Sequence, residues 1–208
     1  MGQESKAFRP TREMYARFLQ RTTRQAQSLL TRYVIDNLTA DAMIGLFRKL
    51  LERAHARAAA YGRQLAGDGR ALNESDRALA RVIMLGQDDH LRAFLADLQR
   101  GRYTDANGIP KVRAIRARID LYIDRLRGTT NQTFVAASYP HYFHWRLGEA
   151  EHCEDCPRLA AEGPYRADRL PAFPGDGSTR CLTQCHCYLE RDDGLIGFRN
   201  TEAMSNAG

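Results

Sequence analysis

The chain has 208 residues, 43% hydrophobic and 27% charged, with a formal net charge of +6 and a pI of about 9.2. That length holds one large domain or two small ones, and the composition is that of a globular protein, not a fibrous or disordered one. No apolar run approaches the roughly 18 residues of a membrane span, and Met1 to Lys6 lacks the apolar stretch of a secretory signal, so a reducing cytosol is the expected setting.

Proline divides the chain. None occurs between Pro10 and Pro110, which permits long helices, whereas Pro157, Pro164, Pro171 and Pro174 crowd the C-terminal third. A first helix is predicted from Thr11 to about Asp36, with Met14, Phe18, Ala26, Leu29 and Tyr33 at helical spacing. Thr39 is placed to cap a second helix, with Asp41 in its first turn to complement the dipole. Its stripe is the clearest in the chain: Met43, Leu46, Phe47, Leu50, Leu51, Ala54, Ala58, Tyr61 and Leu65. Gly67-Asp68-Gly69 ends it.

A third helix is expected to start at Asn73 or Ser75 and to run past Leu98. Leu79, Val82, Ile83, Gly86, His90, Phe94, Leu95 and Leu98 form its predicted buried face. Gly101 and Gly108-Ile109-Pro110 bracket a loop. A fourth helix carries Val112, Ile115, Ile119, Tyr122, Leu126 and Thr133 on one face and runs to Ala137, before Tyr139-Pro140. The expected fold is therefore mainly α: a bundle or array of about four long amphipathic helices over residues 1–138. Arg113, Arg116, Arg118, Arg125 and Arg127 read as a solvated helix face, with nucleic acid or an acidic protein as the alternative contact. Of 31 Lys and Arg residues only Lys6, Lys49 and Lys111 are lysines. Arginine favours bidentate contacts to carboxylate or phosphate, although a GC-rich coding sequence produces the same bias.

Residues 139–190 read as a small α+β module. Tyr142 to Leu147 suits a short strand, with Cys187-Tyr188-Leu189-Glu190 as its partner. His141 and His144 beside Trp145 are expected to pack or hydrogen-bond, as is usual for histidines such as His55 and His90. Gly175-Asp176-Gly177-Ser178-Thr179 reads as a turn, because no lysine follows it as a phosphate loop requires. Residues 191–208 are polar and weakly patterned, as in a frayed tail.

The five cysteines carry the chemistry. None precedes Cys153, and all fall in two tight groups, Cys153-Glu-Asp-Cys156 and Cys181-Leu-Thr-Gln-Cys185-His-Cys187. A Cys-x-x-Cys turn puts two thiolates on one side of a knuckle, and a second group completes the tetrahedral S₄ set that Zn²⁺ prefers. A module this small and proline-rich would draw folding energy from one structural zinc. Cys153 and Cys156 are the expected ligands, with two of Cys181, Cys185 and Cys187; His152 and His186 are substitutes, and disulfides or free thiols are the alternatives. An all-sulfur site is closed. Glu151 and Glu154 are the nearby carboxylates, but the His-x-Glu and Pro-Cys-x-x-Cys of zinc deaminases are absent, and no catalytic residue is expected.

Trp145, Glu151-His152-Cys153-Glu154-Asp155-Cys156, Gly163-Pro164-Tyr165, Leu170-Pro171, Pro174 to Thr179 and Cys181-x-x-x-Cys185-x-Cys187 together resemble the C-terminal module of tailed-phage minor head proteins, the head-morphogenesis family related to phage Mu protein F. Arg118-Ile119-Asp120-Leu121-Tyr122 fits the helical body of that family, and the likeness spans about residues 112 to 190. Many members end the motif with His-x-x-Cys-x-Cys; here Cys181 stands one residue further upstream. The resemblance implies a non-enzymatic virion component present in multiple copies. It would meet the portal protein or major capsid protein at the portal vertex or inner capsid, face packaged DNA, and pass through the host cytoplasm during assembly. The alternative is a zinc-dependent nucleic-acid-binding protein or nuclease acting on phage DNA.

Overall fold

The computed structural model describes residues 12–67 and 71–198. Thr11, Asp68 and Gly69, and the part of the expected tail beyond residue 198, lie outside them. The fold is mainly helical with a small three-stranded sheet near the C-terminal end. Helices α1 (Arg12–Ile35), α2 (Ala40–Leu65), α3 (Glu74–Leu85), α4 (Asp88–Gln99) and α5 (Val112–Ala137) precede β1 (Tyr142–Arg146), α6 (Asp155–Glu162), β2 (Tyr165–Arg166) and β3 (Tyr188–Arg191). Among the described residues no helix is long and apolar enough to cross a membrane.

Thr39 caps α2 by accepting a hydrogen bond from the Ala42 amide at 3.2 Å. Asn73 caps α3 in a reciprocal box with Asp76: the Asp76 amide donates to Asn73 Oδ1 at 2.8 Å, and the Asn73 amide to Asp76 Oδ2 at 3.0 Å. Asp76 also receives the Arg63 guanidinium in a largely buried pair (Nη2 to Oδ1, 3.0 Å), which ties the start of α3 to the end of α2.

The expected third helix is in fact two. Gly86 and Gln87 break it, and α4 restarts with Asp88 and Asp89 in its first turn. The reason lies in the core. Gln87 is buried and its amide contacts His55 Nε2 at 2.5 Å, while His55 Nδ1 meets Thr129 Oγ1 at 2.7 Å. A polar side chain drawn inward at this point stops the helix and resets its face. Ala80, Ile83 and Met84 are buried in α3, and Leu91, Phe94 and Leu98 in α4. Val82, Gly86 and His90, expected inside, are exposed.

Helix α5 is the axis of the molecule. Its first half, Ile115 to Leu126, packs with Met43, Phe47, Leu51, Ala58 and Phe94 in one hydrophobic cluster. Its last turns, Phe134 and Val135, belong to a second cluster with Tyr15, Tyr61, Phe143, Trp145, Leu159, Leu189 and three of the cysteines. Between them Arg127, Gly128, Thr129, Thr130 and Asn131 are all buried. Gly62 of α2 lies so close that a Cβ there would strike the backbone of Thr130 and Phe134.

The sheet order is β2-β1-β3, both pairings antiparallel, with Trp145 opposite Leu189 and Phe143 opposite Arg191. Phe143, Trp145 and Leu189 point into the second cluster, while Tyr142, His144, Arg146 and Glu190 lie on the more exposed face. The tail expected from residue 191 is instead built into the fold as far as residue 198. Arg191 is buried and donates to the Ala66 carbonyl and Ser138 Oγ, each at 3.1 Å, and pairs with Asp193. Phe198 is buried and stacks on Tyr15 with ring centroids 4.1 Å apart. Burial of one aromatic outweighs the fraying that a polar segment otherwise shows.

Candidate metal centre

Cys153 and Cys156 sit at the entry of α6, with the Cys156 amide donating to the Cys153 carbonyl at 3.3 Å. Cys181 and Cys185 flank a short 3₁₀ turn, Leu182–Gln184, and Cys187 leads into β3. This folding brings all five thiols together. Cys156 is the hub: its sulfur lies 3.5 Å from that of Cys153, 3.7 Å from Cys181 and 3.8 Å from Cys185. Cys156, Cys185 and Cys187 form a second, fully buried triad sharing the same hub. All five are free thiols, since a disulfide needs about 2.05 Å between sulfurs.

The three spacings from Cys156 are close to the ligand–ligand edges around a metal ion, although the five thiols form two triads sharing Cys156 and not one set of four. A metal–sulfur distance of about 2.3 Å implies a sulfur–sulfur edge of about 3.8 Å. The electrostatics agree. Burial pushes the Cys156 thiol up, and hydrogen bonding to Cys187 followed by burial does the same to Cys185. Cys187 is pulled down to about 5, first by Cys185 and then by the indole of Trp145, whose buried N–H has no other described partner. Thiols so close cannot all ionise without a cation among them, and the cluster can hold a metal ion.

The surroundings are ordered for that task. Thr179 Oγ1 lies 3.2 Å from the Cys181 sulfur. The Asp155 carboxylate accepts the Arg180 amide at 2.8 Å, fixing the Cys181 segment to α6. Gly148 leaves room for the backbone of His186, which a Cβ there would strike. Among the substitutes, His152 Nδ1 stands 3.8 Å from the Cys187 sulfur, a separation that two ligands of one ion can have. His141 hydrogen-bonds Asp192 at 2.6 Å on the exposed side of the sheet. Glu154 pairs with Arg180 in solvent.

Helix α5 supplies what the sequence pattern did not reveal. Arg127 was expected on a solvated face but is buried, and its Nη2 donates to the Thr183 carbonyl, within the turn between Cys181 and Cys185, at 3.0 Å. Burial pulls its pKa down, and the nearby Cys185 is the first of the groups that oppose this, so a guanidinium lies beside the sulfur cluster. Asn131 donates to the Pro174 carbonyl at 3.0 Å. A Cβ on Gly128 would lie 2.6 Å from the Asp176 Cα, so glycine lets the 174–178 turn rest on the helix. That turn has Gly175 and Gly177 at φ +84 and +83, as its glycines suggested. The unusual run Arg-Gly-Thr-Thr-Asn inside a helix was the available signal, since such residues have little other reason to occupy a helix interior.

Compared with known families, the chain matches no family model, and no curated protein or solved structure is similar to it.

Proposed function

We propose that this chain is a structural minor virion protein of a tailed-phage head, acting in assembly at or near the portal vertex or inner capsid, with one zinc ion stapling its C-terminal module. The observation that carries the reading is the convergence of Cys153, Cys156, Cys181, Cys185 and Cys187 into two triads of sulfurs that share Cys156. These are the residues on which the likeness to phage head-morphogenesis proteins rests. A buried all-sulfur set suits a closed structural site. The site's role would be to hold the sheet and the 174–187 segment against α5, presenting a rigid surface to portal or capsid protein. A zinc-dependent nuclease would need an open coordination position and an acid or base beside it, and Glu154, the nearest such candidate in sequence, is directed to Arg180.

Co-expression with tailed-phage portal and major capsid proteins tests the reading. The protein should co-purify with one of them and be found in proheads or particles, and deletion of its gene should lower infectious yield. A DNA-cleaving activity lost on Glu154→Gln with the fold intact would defeat it.

A further inference from the structure

A surface groove of about 680 Å³ runs between α1 and α2, with no cysteine in its lining. Its walls carry Arg17 and Arg21 from α1 and Arg53 and Arg57 from α2, all exposed. Its floor is apolar, with Phe18 and Tyr61. Four guanidinium groups on facing walls repel one another, and like charges four residues apart destabilise a helix. Folding therefore gives no reason for the arrangement. Among the described residues no carboxylate pairs with Arg21, Arg53 or Arg57; Arg57 lies over the Tyr61 ring at 5.2 Å. Among the described residues Arg17 pairs with solvent-exposed Glu13, an interaction that an incoming anion displaces at small cost.

The pattern suits a polyanion. On each wall the two arginines are separated by four residues, a rise of about 6 Å along the helix. The walls thus present two rows of cations at a fixed repeat. Phosphates of one duplex strand recur every 3.4 Å along the axis, so every second phosphate falls at about 7 Å. Carboxylates on an acidic helix can recur at the same repeat, so competition by polyglutamate is the measurement that separates the two anions. Guanidinium groups pair bidentately with phosphate, and the apolar floor suits sugars or base faces. We propose that the α1–α2 groove binds the phosphodiester backbone of nucleic acid. None of the cysteines lines the groove, and its existence does not depend on the assembly role.

Fluorescence anisotropy with the full-length protein tests it. The probes are a labelled oligothymidylate and a labelled mixed-sequence duplex of two helical turns. Arg21→Gln/Arg53→Gln is compared with the charge-matched control Arg77→Gln/Arg81→Gln on exposed positions of α3. The groove variant should bind about tenfold more weakly, and the slope of log affinity against log salt should fall by about 2, as expected for two lost phosphate contacts. The control should bind nearly as the parent does. Tighter binding of either probe supports the proposal and tells which form the groove prefers. Equal weakening in both variants, displacement by polyglutamate as effective as by unlabelled DNA, or no binding at low salt would overturn it. Unchanged melting of both variants excludes a folding defect.

Discussion

Around Phe47, Phe94 and Ile119 the helices meet through side chains that a 3.6-residue period already places on one stripe. Around Trp145 and Cys156 the neighbours come from α1, α2, α5, β1, α6, the 167–172 segment, residues 185–189 and Phe198. The first cluster needs only amphipathic helices and a short connection between them. The second joins an aromatic lining, buried thiols and a polar stretch of helix that hydrogen-bonds loop carbonyls. Stability is therefore differently sourced at the two ends of α5. The ends are nonetheless mechanically joined, because α5 enters both clusters.

The largest break in that contrast should come from losing the zinc proposed above. Cys156→Ser, or treatment with a strong chelator, removes the hub sulfur or the ion itself. Binding of a structural zinc is worth about 10–16 kcal/mol in small peptides, comparable to the whole stability of a domain. The chain's single tryptophan, Trp145, is buried beside the cluster and reports on it. Its fluorescence should shift to the red and its near-ultraviolet dichroism should vanish, while α1 to α5 retain most of the far-ultraviolet signal. A native tryptophan spectrum in metal-free protein would show that the second cluster stands without the ion.

A smaller effect should separate the clusters at a single methyl group. Gly128→Ala ought to gain up to about 1 kcal/mol from helix propensity. Instead it should destabilise by about 1–3 kcal/mol, because the new Cβ meets the Asp176 backbone and neither partner is a flexible side chain. Gly45→Ala, on α2 with nothing within 4 Å, should show the propensity gain alone. Urea denaturation of both variants checks the pair; a stabilised Gly128→Ala would mean that the turn does not press on the helix.

The smallest predicted effect concerns protons in the first cluster. Burial, then the charge of Arg125, pushes His55 down to about 3 from the usual 6.5. The folded state therefore binds fewer protons than the unfolded chain below about pH 6.5, and stability falls as pH falls towards 3. Between pH 7 and about pH 5.5 the loss should be on the order of 1 kcal/mol. Asp124 works the other way: burial, then Asp120, raises it to about 6, so it gains a proton in the folded state as pH drops through that value. The His55 contribution is thus the difference between the pH slopes of the parent and His55→Gln. Equal slopes would refute a neutral, buried imidazole.

The helical body was largely readable from periodicity. The stripes of α2 and the first half of α5 lie where the spacing of Met43 to Leu65 and Ile115 to Leu126 puts them, and Thr39 and Asn73 act as caps. Such features are local, because an apolar stripe and a capping oxygen need only neighbours within a few residues. The two cysteine groups were equally visible, since metal-binding knuckles are short sequence motifs, and the paired strands β1 and β3 followed from their aromatic and alternating pattern. What escaped local reading depends on partners distant along the chain. The break at Gly86-Gln87 exists because His55, thirty-two residues earlier, draws Gln87 inward. The burial of Arg127 needs the Thr183 carbonyl, fifty-six residues away. The ordering of residues 191–198 needs Tyr15 at the far end of the chain, and the arginine groove needs the antiparallel meeting of α1 and α2. Each is a contact between segments whose own patterns do not mention one another, so it comes into being only when the chain closes on itself.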